Sequence, residues 1–258
     1  MKIRHSAATS LAFLFVLFLP AVTRADWAVT ALDRQAGATG AIEYRHYSLG
    51  EATSGSRVEL QLALFSNQSA TLRVIDQPNF ERRLAQVMTQ ENCLAGVNGG
   101  YFDPEGAPVG LLISAGKTIA PFRRARLLSG VLGIRPGKVE LFRASEFPIQ
   151  KKNWRDAVQC GPFLVGGGKA VAGLDNTRVA RRTFVLTTTD RRTAIGYCEP
   201  VTLANLANVL AALSQLKVAR ALNLDGGSSS AFWCRTTEQT VSVSEIKSVR
   251  DFLAIVPR

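Results

Sequence analysis

The hydrophobic and polar positions along the chain alternate mainly with the two-residue period of a β-strand. Three early segments combine strand length with partial alternation: EYRHYSL (43–49), RVELQLALF (57–65) and ATLRVID (70–76). Two short apolar runs, at 94–98 and 221–224, predict further strands. The pattern therefore predicts a chain rich in β-structure.

Two segments follow the helical period instead. A first helix is predicted to open at Pro78 and Asn79, because four apolar residues then fall on one helical face: Phe80, Leu84, Val87 and Met88. A second helix is predicted to begin after Thr202 as its N-cap, with a leucine stripe at positions 203, 206, 210, 213 and 216. Together these elements predict an α+β fold: a single domain with a twisted mixed β-sheet core and two principal helices.

The first 25 residues have the organisation of a secretory signal peptide. Lys2 and Arg4 precede an apolar stretch at 11–19, and small residues lead up to Ala25. That stretch is short for a membrane span, so we expect cleavage near Ala25 and a periplasmic or secreted protein without stable membrane insertion; the alternative is an uncleaved anchor. The rest divides into an N-terminal strand and loop region (26–56) and a main domain (57–258).

The charge balance narrows the range of partners. The formal net charge is +11, and loss of residues 1–25 removes Lys2, Arg4 and Arg24 and leaves +8. The cations are scattered, and no arginine-rich run interleaved with aromatic residues appears, so we expect no nucleic acid partner. Phosphorylated sugars or other anionic envelope glycans suit a basic exported protein better. The oligomeric state is left open.

The predicted export of the protein leads to an expectation about its cysteines. Cys93, Cys160, Cys198 and Cys234 all follow the predicted leader, and their spacings match no zinc pattern. In an oxidising compartment one or two disulfides are expected, with all three connectivities open.

One turn motif occurs twice in related form. Each predicted helix leads through a short apolar strand into a polar residue and two glycines, first at Asn98 and then at Asp225 in NLDGGSSSAF. If the two strands lie side by side, Asn98 and Asp225 stand at the same sheet edge, where mixed α and β folds bind ligands. The alternative is that Asp225 only caps its own turn.

Common catalytic motifs are absent from the sequence. Ser230 occupies the position where a nucleophile elbow requires glycine, and the 166–168 glycines fit neither a P-loop nor a dinucleotide fingerprint. Beyond the predicted leader the only histidine is His46, in a predicted strand. Acids, arginines and amides therefore remain as the candidate chemistry, including Arg182 at the start of a predicted strand.

Four segments, in this order and spacing, resemble the phosphodiester glycosidase family: NGGYFDPEGAPVGLLISAGK (98–117), QCGPFLVGGGKAV (159–171), ARRTFVLTTTDRRTAIG (180–196) and NLDGGSSSAF (223–232). The resemblance covers roughly residues 57–256. It implies a hydrolase that cleaves the glycosidic bond of a sugar-1-phosphodiester and releases free sugar and a phosphomonoester. The alternative is a non-catalytic binder of envelope glycan or anionic polymer that uses the same cleft.

The resemblance also implies a set of site residues around a common cleft. As catalytic groups it implies Asp225, Arg182 and Asn98. As substrate-binding groups it implies Gly99, Gly100, Tyr101, Phe102, Asp103, Gly161, Pro162, Thr183, Gly226, Gly227, Ser228 and Ser229. No cofactor is required by this chemistry, although a divalent cation such as calcium remains open. A phosphate leaves more easily than an alkoxide, so cationic stabilisation by Arg182 replaces strong general-acid help.

Overall fold

The computed structural model describes residues 26–148 and 153–258. The predicted signal peptide, residues 1–25, lies outside the described residues. The described chain forms two α-helices, α1 (Leu84–Gln90) and α2 (Leu203–Ala212), and a short 3₁₀ turn (Gly227–Ser229).

Strands make up most of the described chain. In order they are β1 (Trp27–Ala36), β2 (Ile42–Glu51), β3 (Arg57–Ser66), β4 (Ala70–Asp76), β5 (Ala95–Asn98), β6 (Leu112–Ser114), β7 (Lys117–Ala120), β8 (Gly130–Arg135), β9 (Lys138–Arg143), β10 (Asp156–Cys160), β11 (Phe163–Gly166), β12 (Lys169–Ala170), β13 (Ala180–Thr188), β14 (Arg192–Val201), β15 (Val218–Asn223), β16 (Phe232–Arg235), β17 (Thr240–Val243) and β18 (Asp251–Pro257). The three early strand predictions correspond to β2, β3 and β4.

The strands form three sheets. The eight-stranded sheet has the order β1-β2-β3-β14-β13-β15-β11-β12, and two five-stranded sheets have the orders β7-β6-β10-β8-β9 and β17-β16-β5-β18-β4. The α+β class, the single domain and the two helices are confirmed. The expectation of a mixed sheet needs correction, because every pairing between described strands is antiparallel.

The main core lies between the sheets. It joins side chains from all three, among them Leu72, Val97, Leu132 and Leu222. Helix α2 covers the other face of the eight-stranded sheet through Leu206 and Leu210. Each sheet therefore has at least one face removed from water, which accounts for the apolar runs in the sequence.

The two helices match their predictions to different extents. Thr202 is the N-cap of α2, and its hydroxyl accepts a hydrogen bond from Asn205 N–H (3.2 Å). Helix α1 begins only at Leu84, five residues beyond the predicted opening, because Phe80 adopts a left-handed φ of 55° that interrupts a helix. Phe80 is therefore not part of the helical face assigned to it.

The disulfide expectation is wrong for this structure. All four cysteines are buried and free. Cys160, Cys198 and Cys234 lie on different strands and Cys93 lies in the loop before β5. All four pack as small apolar residues, and burial raises the pKa of each thiol, to about 12 for Cys234.

Within 26–148 and 153–258, no helix has the length and apolar character needed to cross a bilayer.

Candidate active site

The two related turns meet, although their strands lie in different sheets. Strand β5 belongs to a five-stranded sheet and β15 to the eight-stranded sheet, so the condition that the two strands lie side by side is not met. Yet Asp225 N–H donates to the carbonyl oxygen of Gly99 (3.0 Å), and Asn98 Nδ2 donates to the carbonyl oxygen of Asp225 (2.8 Å). The predicted meeting of Asn98 and Asp225 is thus found at a junction between sheets.

Asn98 and Thr183 fix the backbone at this junction. Asn98 is fully buried, and its Oδ1 accepts from the Thr183 hydroxyl (2.9 Å) and from Ala231 N–H (3.1 Å). The Thr183 hydroxyl also lies 2.7 Å from the carbonyl oxygen of Asp225, so its single proton can serve either acceptor. Asn98 therefore holds the turn that carries Asp225 and has no exposed surface to offer a substrate.

The Asp225 carboxylate is half-buried at the start of the glycine turn. Its Oδ1 accepts a hydrogen bond from Gly226 N–H (2.9 Å). Burial raises the pKa of Asp225, while hydrogen bonds from the Ser229 hydroxyl and Gly226 N–H oppose the rise, as do the charges of Lys247 and Arg178. The carboxylate is oriented by the turn and lies in the field of Lys247 and Arg178.

Arg182 lies beside this turn with one edge of its guanidinium already engaged. Its Nε donates to the carbonyl oxygen of Val201 (3.2 Å), and its Nη2 donates to that of Arg178 (2.7 Å). Its Nη1 lies 3.6 Å from the position that a Cβ on Gly226 would occupy. Two backbone carbonyls thus fix the guanidinium next to the Asp225 turn and leave the Nη1 hydrogens for a ligand.

A second hydrogen-bonded group joins the 161–162 turn to the same site. The Tyr101 hydroxyl donates to the carbonyl oxygen of Gly161, which also accepts from Asn223 Nδ2 (2.8 Å). Burial raises the pKa of Tyr101, so the hydroxyl stays neutral. A Cβ at Gly161 would overlap the carbonyl oxygen of Leu127, so only glycine fits there. Pro162 contributes its carbonyl oxygen, which accepts from Asn223 N–H (3.0 Å).

The Gly99–Gly100 turn is supported from below by a carboxylate of strand β18. Gly99 N–H donates to the backbone oxygen of Asp251 (2.8 Å), and Gly100 N–H donates to its Oδ1 (3.0 Å). Oδ2 of the same buried side chain has no hydrogen-bond partner among the described residues. A Cβ at Gly99 would overlap Asp251 Oδ1, so the carboxylate and the glycine require each other.

The remaining predicted residues occupy the periphery. Phe102 packs against Phe80 (ring centroids 5.4 Å apart) and carries Lys247 Nζ over its ring (5.2 Å). Asp103 closes its own loop, since its Oδ1 accepts from Ala107 N–H (2.7 Å). Gly227, Ser228 and Ser229 form the 3₁₀ turn, which Arg181 holds through a hydrogen bond from Nε to the Gly227 carbonyl oxygen (3.3 Å).

A separate cavity of about 1320 Å³ lies at the other ends of the same strands. It is lined by Thr187 and Thr188 of β13 and by Ala219 and Arg220 of β15, among other residues. None of the predicted site residues lines it. The bonded network around Asp225 is the better candidate site, because it brings the four motif segments together.

Among the residues that the structure describes, no three His, Cys, Asp or Glu side chains gather into a group that could hold a metal ion.

Comparison with known proteins decides the family. The family model described as phosphodiester glycosidase matches residues 91–256. The chain belongs to the phosphodiester glycosidase family. The matched region contains Asn98, Gly161, Arg182, Asp225 and Asp251, so the whole hydrogen-bonded network lies inside it. No curated protein sequence matches the chain.

Solved structures show the same fold. The catalytic domain of zebrafish N-acetylglucosamine-1-phosphodiester alpha-N-acetylglucosaminidase, auto-inhibited by its pro-peptide, is 18% identical over 88% of each chain, with a TM-score of 0.64. A hypothetical protein from Synechocystis is 14% identical with a TM-score of 0.58, over 84% of this chain and 62% of its own. A protein from Burkholderia pseudomallei is 14% identical with a TM-score of 0.55, over 80% of this chain and 75% of its own.

Two residues of the candidate site could not be identified from the sequence pattern that was followed. Asn223 stands two residues before Asp225 and was interpreted only as part of a strand. Asp251 opens the apolar run DFLAIV, and an acid at the head of a buried strand was a signal that could have identified it. Both residues hold backbone groups of the predicted site residues.

Proposed function

We propose that this member of the phosphodiester glycosidase family is an exported hydrolase that cleaves the glycosidic bond of a sugar-1-phosphodiester. The products are the free sugar and a phosphomonoester. The observation that carries the proposal is the position of the Arg182 guanidinium beside Gly226, the residue that follows Asp225 and donates its N–H to the Asp225 carboxylate. Backbone carbonyls hold the guanidinium at this place. A phosphorylated sugar presents a phosphate for one group and an anomeric carbon for the other.

Arg182 would receive the charge that develops on the leaving phosphate. The bond between the anomeric carbon and the phosphate oxygen breaks, and its electron pair departs with the phosphate. Because Nε and Nη2 are already engaged with carbonyls, the guanidinium approaches the phosphate through Nη1 and the remaining Nη2 hydrogen. A guanidinium held in place beforehand needs no reorganisation as charge develops, which lowers the barrier.

Asp225 would act on the sugar. Its carboxylate stabilises the oxocarbenium-like carbon as the phosphate leaves, and it orients the water whose oxygen then bonds to that carbon. The proton lost by the water passes to the phosphate or to solvent. Asn98 and Thr183 act as positioning residues, because their hydrogen bonds end on the Asp225 backbone and on each other.

The proposal is tested by Asp225→Asn in the full chain. Asparagine keeps the size of the side chain and an acceptor for Gly226 N–H, but it carries no negative charge for the transition state. We expect kcat for a sugar-1-phosphodiester to fall by about a hundredfold or more, with KM and the melting temperature nearly unchanged. Asp190→Asn is the matched control, since this exposed carboxylate lies beyond the far end of β13 and should leave kcat unchanged.

Two results would contradict the proposal. Full kcat in a well-folded Asp225→Asn protein would leave the carboxylate as a turn residue only. Binding of sugar-1-phosphodiesters without release of reducing sugar by the unsubstituted protein would favour the non-catalytic binder.

A further inference from the structure

Exposed apolar side chains concentrate around the candidate active site. In the described part of the chain, four large apolar residues are exposed: Val29 (42%), Leu127 (54%), Val179 (61%) and Ile246 (72%). The three most exposed of them border the site, whereas Val29 does not. Single exposed apolar residues need no explanation, but a cluster at a functional site marks an interaction surface.

Each of the three is tied to a different part of the site. The carbonyl oxygen of Leu127 packs against Gly161. Val179 directly precedes β13, the strand that carries Arg182. Ile246 N–H donates to a carbonyl oxygen of the 3₁₀ turn that follows Asp225 (2.8 Å). The exposed side chains therefore approach the site from three separate segments.

An exposed cation adjoins every one of these apolar residues in sequence. The pairs are Arg126 with Leu127, Arg178 with Val179, and Ile246 with Lys247, and we call these six residues the docking rim. The loop PFRRARLLS (121–129) also exposes Arg123 and Arg124 and contains no acid. Glu245 is buried and accepts from Leu84 N–H (2.9 Å), so its carboxylate is engaged with α1 and is not exposed on the rim.

Hydrogen bonds hold segments of the docking rim in place. Gln159 anchors the 121–129 loop, because its Oε1 accepts from Arg123 N–H (3.0 Å) and its Nε2 donates to the carbonyl oxygens of Arg123 (2.7 Å) and Leu128 (3.3 Å). Lys247 N–H donates to Ser228 O (3.0 Å), the acceptor that Ile246 also uses. These segments are therefore ordered before any partner binds. Association is favoured because it does not have to supply the entropy cost of ordering them.

We propose that the docking rim seats the protein on an anionic lipid surface, where the sugar-1-phosphodiester that it hydrolyses is a lipid headgroup. The identity of the substrate rests on the proposed function, whereas the docking does not. Apolar side chains interleaved with cations suit the interface of an anionic membrane, because the chains enter the acyl boundary while the cations meet lipid phosphates. The contact is peripheral and involves no spanning segment. It presents Arg182 and Asp225 directly to headgroups.

Docking is tested by Ile246→Trp in the full chain, mixed with vesicles of phosphatidylcholine and phosphatidylglycerol brominated in their acyl chains. We expect the brominated acyl chains to quench the fluorescence that the new tryptophan adds to that of the unsubstituted protein. This quenching should be weaker at high salt and on vesicles of phosphatidylcholine alone. Val29→Trp is the matched control: residue 29 lies beside residues 212–215, at the end of α2 remote from Arg182, and should not be quenched. Equal or absent quenching at both positions would overturn the proposal.

The substrate class is tested by the triple variant Leu127→Ser, Val179→Ser and Ile246→Ser against Val29→Ser. We expect the triple variant to bind the mixed vesicles on the order of tenfold or more weakly, since three apolar contacts are lost. Its hydrolysis of a vesicle-borne headgroup should fall, while hydrolysis of the same headgroup as a soluble methyl diester is kept. Undiminished vesicle binding, or equal loss on both substrates, would refute the proposal. If the unsubstituted protein hydrolyses neither the vesicle-borne nor the soluble diester, while Ile246→Trp is still quenched by the vesicles, the proposed function is refuted and the docking is confirmed.

Discussion

Replacing Asp251 should remove a large pH dependence of stability. Burial raises the pKa of this carboxyl to about 7 from 3.8, and the Asp76 and Asp225 carboxyls add to the rise, while Gly100 N–H and Arg250 oppose it. The folded protein therefore holds the Asp251 proton more tightly than the unfolded chain does. The contribution to stability is complete below about pH 4 and is lost as the pH rises to about 7.

The size of the effect follows from the shift. A difference of about three pKa units corresponds to on the order of 4 kcal/mol in the free energy of unfolding. Asp251→Asn keeps an acceptor for Gly100 N–H and cannot ionise. We expect its unfolding free energy to be nearly flat across this interval and to exceed that of the unsubstituted protein at neutral pH.

Denaturant unfolding at a series of pH values between about 4 and 8 measures the difference directly. Asp190→Asn is the control, because hydrogen bonds from Arg192 and Thr188 lower the pKa of Asp190, so its contribution is lost only below about pH 4. Parallel curves for Asp251→Asn and the unsubstituted protein would show that the carboxyl is ionised at low pH in the fold, and would refute the reasoning.

Three further predictions concern the site and the N-terminus. Arg182→Lys should lower kcat/KM by about thirtyfold because lysine lacks the planar fork, whereas Arg192→Lys should not; equal kinetics would make Arg182 a structural residue. Gly99→Ala should destabilise the fold by about 1–3 kcal/mol in denaturant unfolding, since its Cβ would overlap a carboxylate of β18, whereas Gly50→Ala meets no atom closer than 3.4 Å; equal midpoints would contradict this. Mass spectrometry of protein recovered from the cell envelope should find a terminus near Asp26, and an intact first residue there would indicate an anchor.

Local signals in the sequence were sufficient for some elements and not for others. The N-cap at Thr202 and the buried Leu206 and Leu210 of α2 depend on neighbours within one helix, so the prediction was confirmed. The start of α1 depends on distant groups: Gln77 Nε2 donates to the carbonyl oxygen of Val249 (2.8 Å), and the segment that follows is a turn and an irregular loop until Leu84. The helical spacing of the apolar residues does not indicate a contact with a residue so far along the chain.

The candidate site also combines features that local sequence signals predict with features that they do not. Asn98 and Asp225 could be linked from sequence because both end a strand in a polar residue and two glycines. That their strands belong to separate sheets could not be predicted from the sequence. Strand β5 pairs with β16 and β18, which lie more than a hundred residues further along the chain. The support of Gly100 by Asp251 depends on that pairing and was missed with it.

The position of β18 between two strands from the first half of the chain has a consequence for the order of folding. This strand lies between β5 and β4, and residues 251–257 pair with residues 70–76 across most of the chain. A protein that emerges from a ribosome or a translocation pore with its N-terminus leading cannot close this sheet until β18 has emerged. Because Asp251 supports the Gly99–Gly100 turn, the site is completed only at that final step. Such long-range closure also predicts slow refolding, with activity recovering no sooner than the last strand pairs.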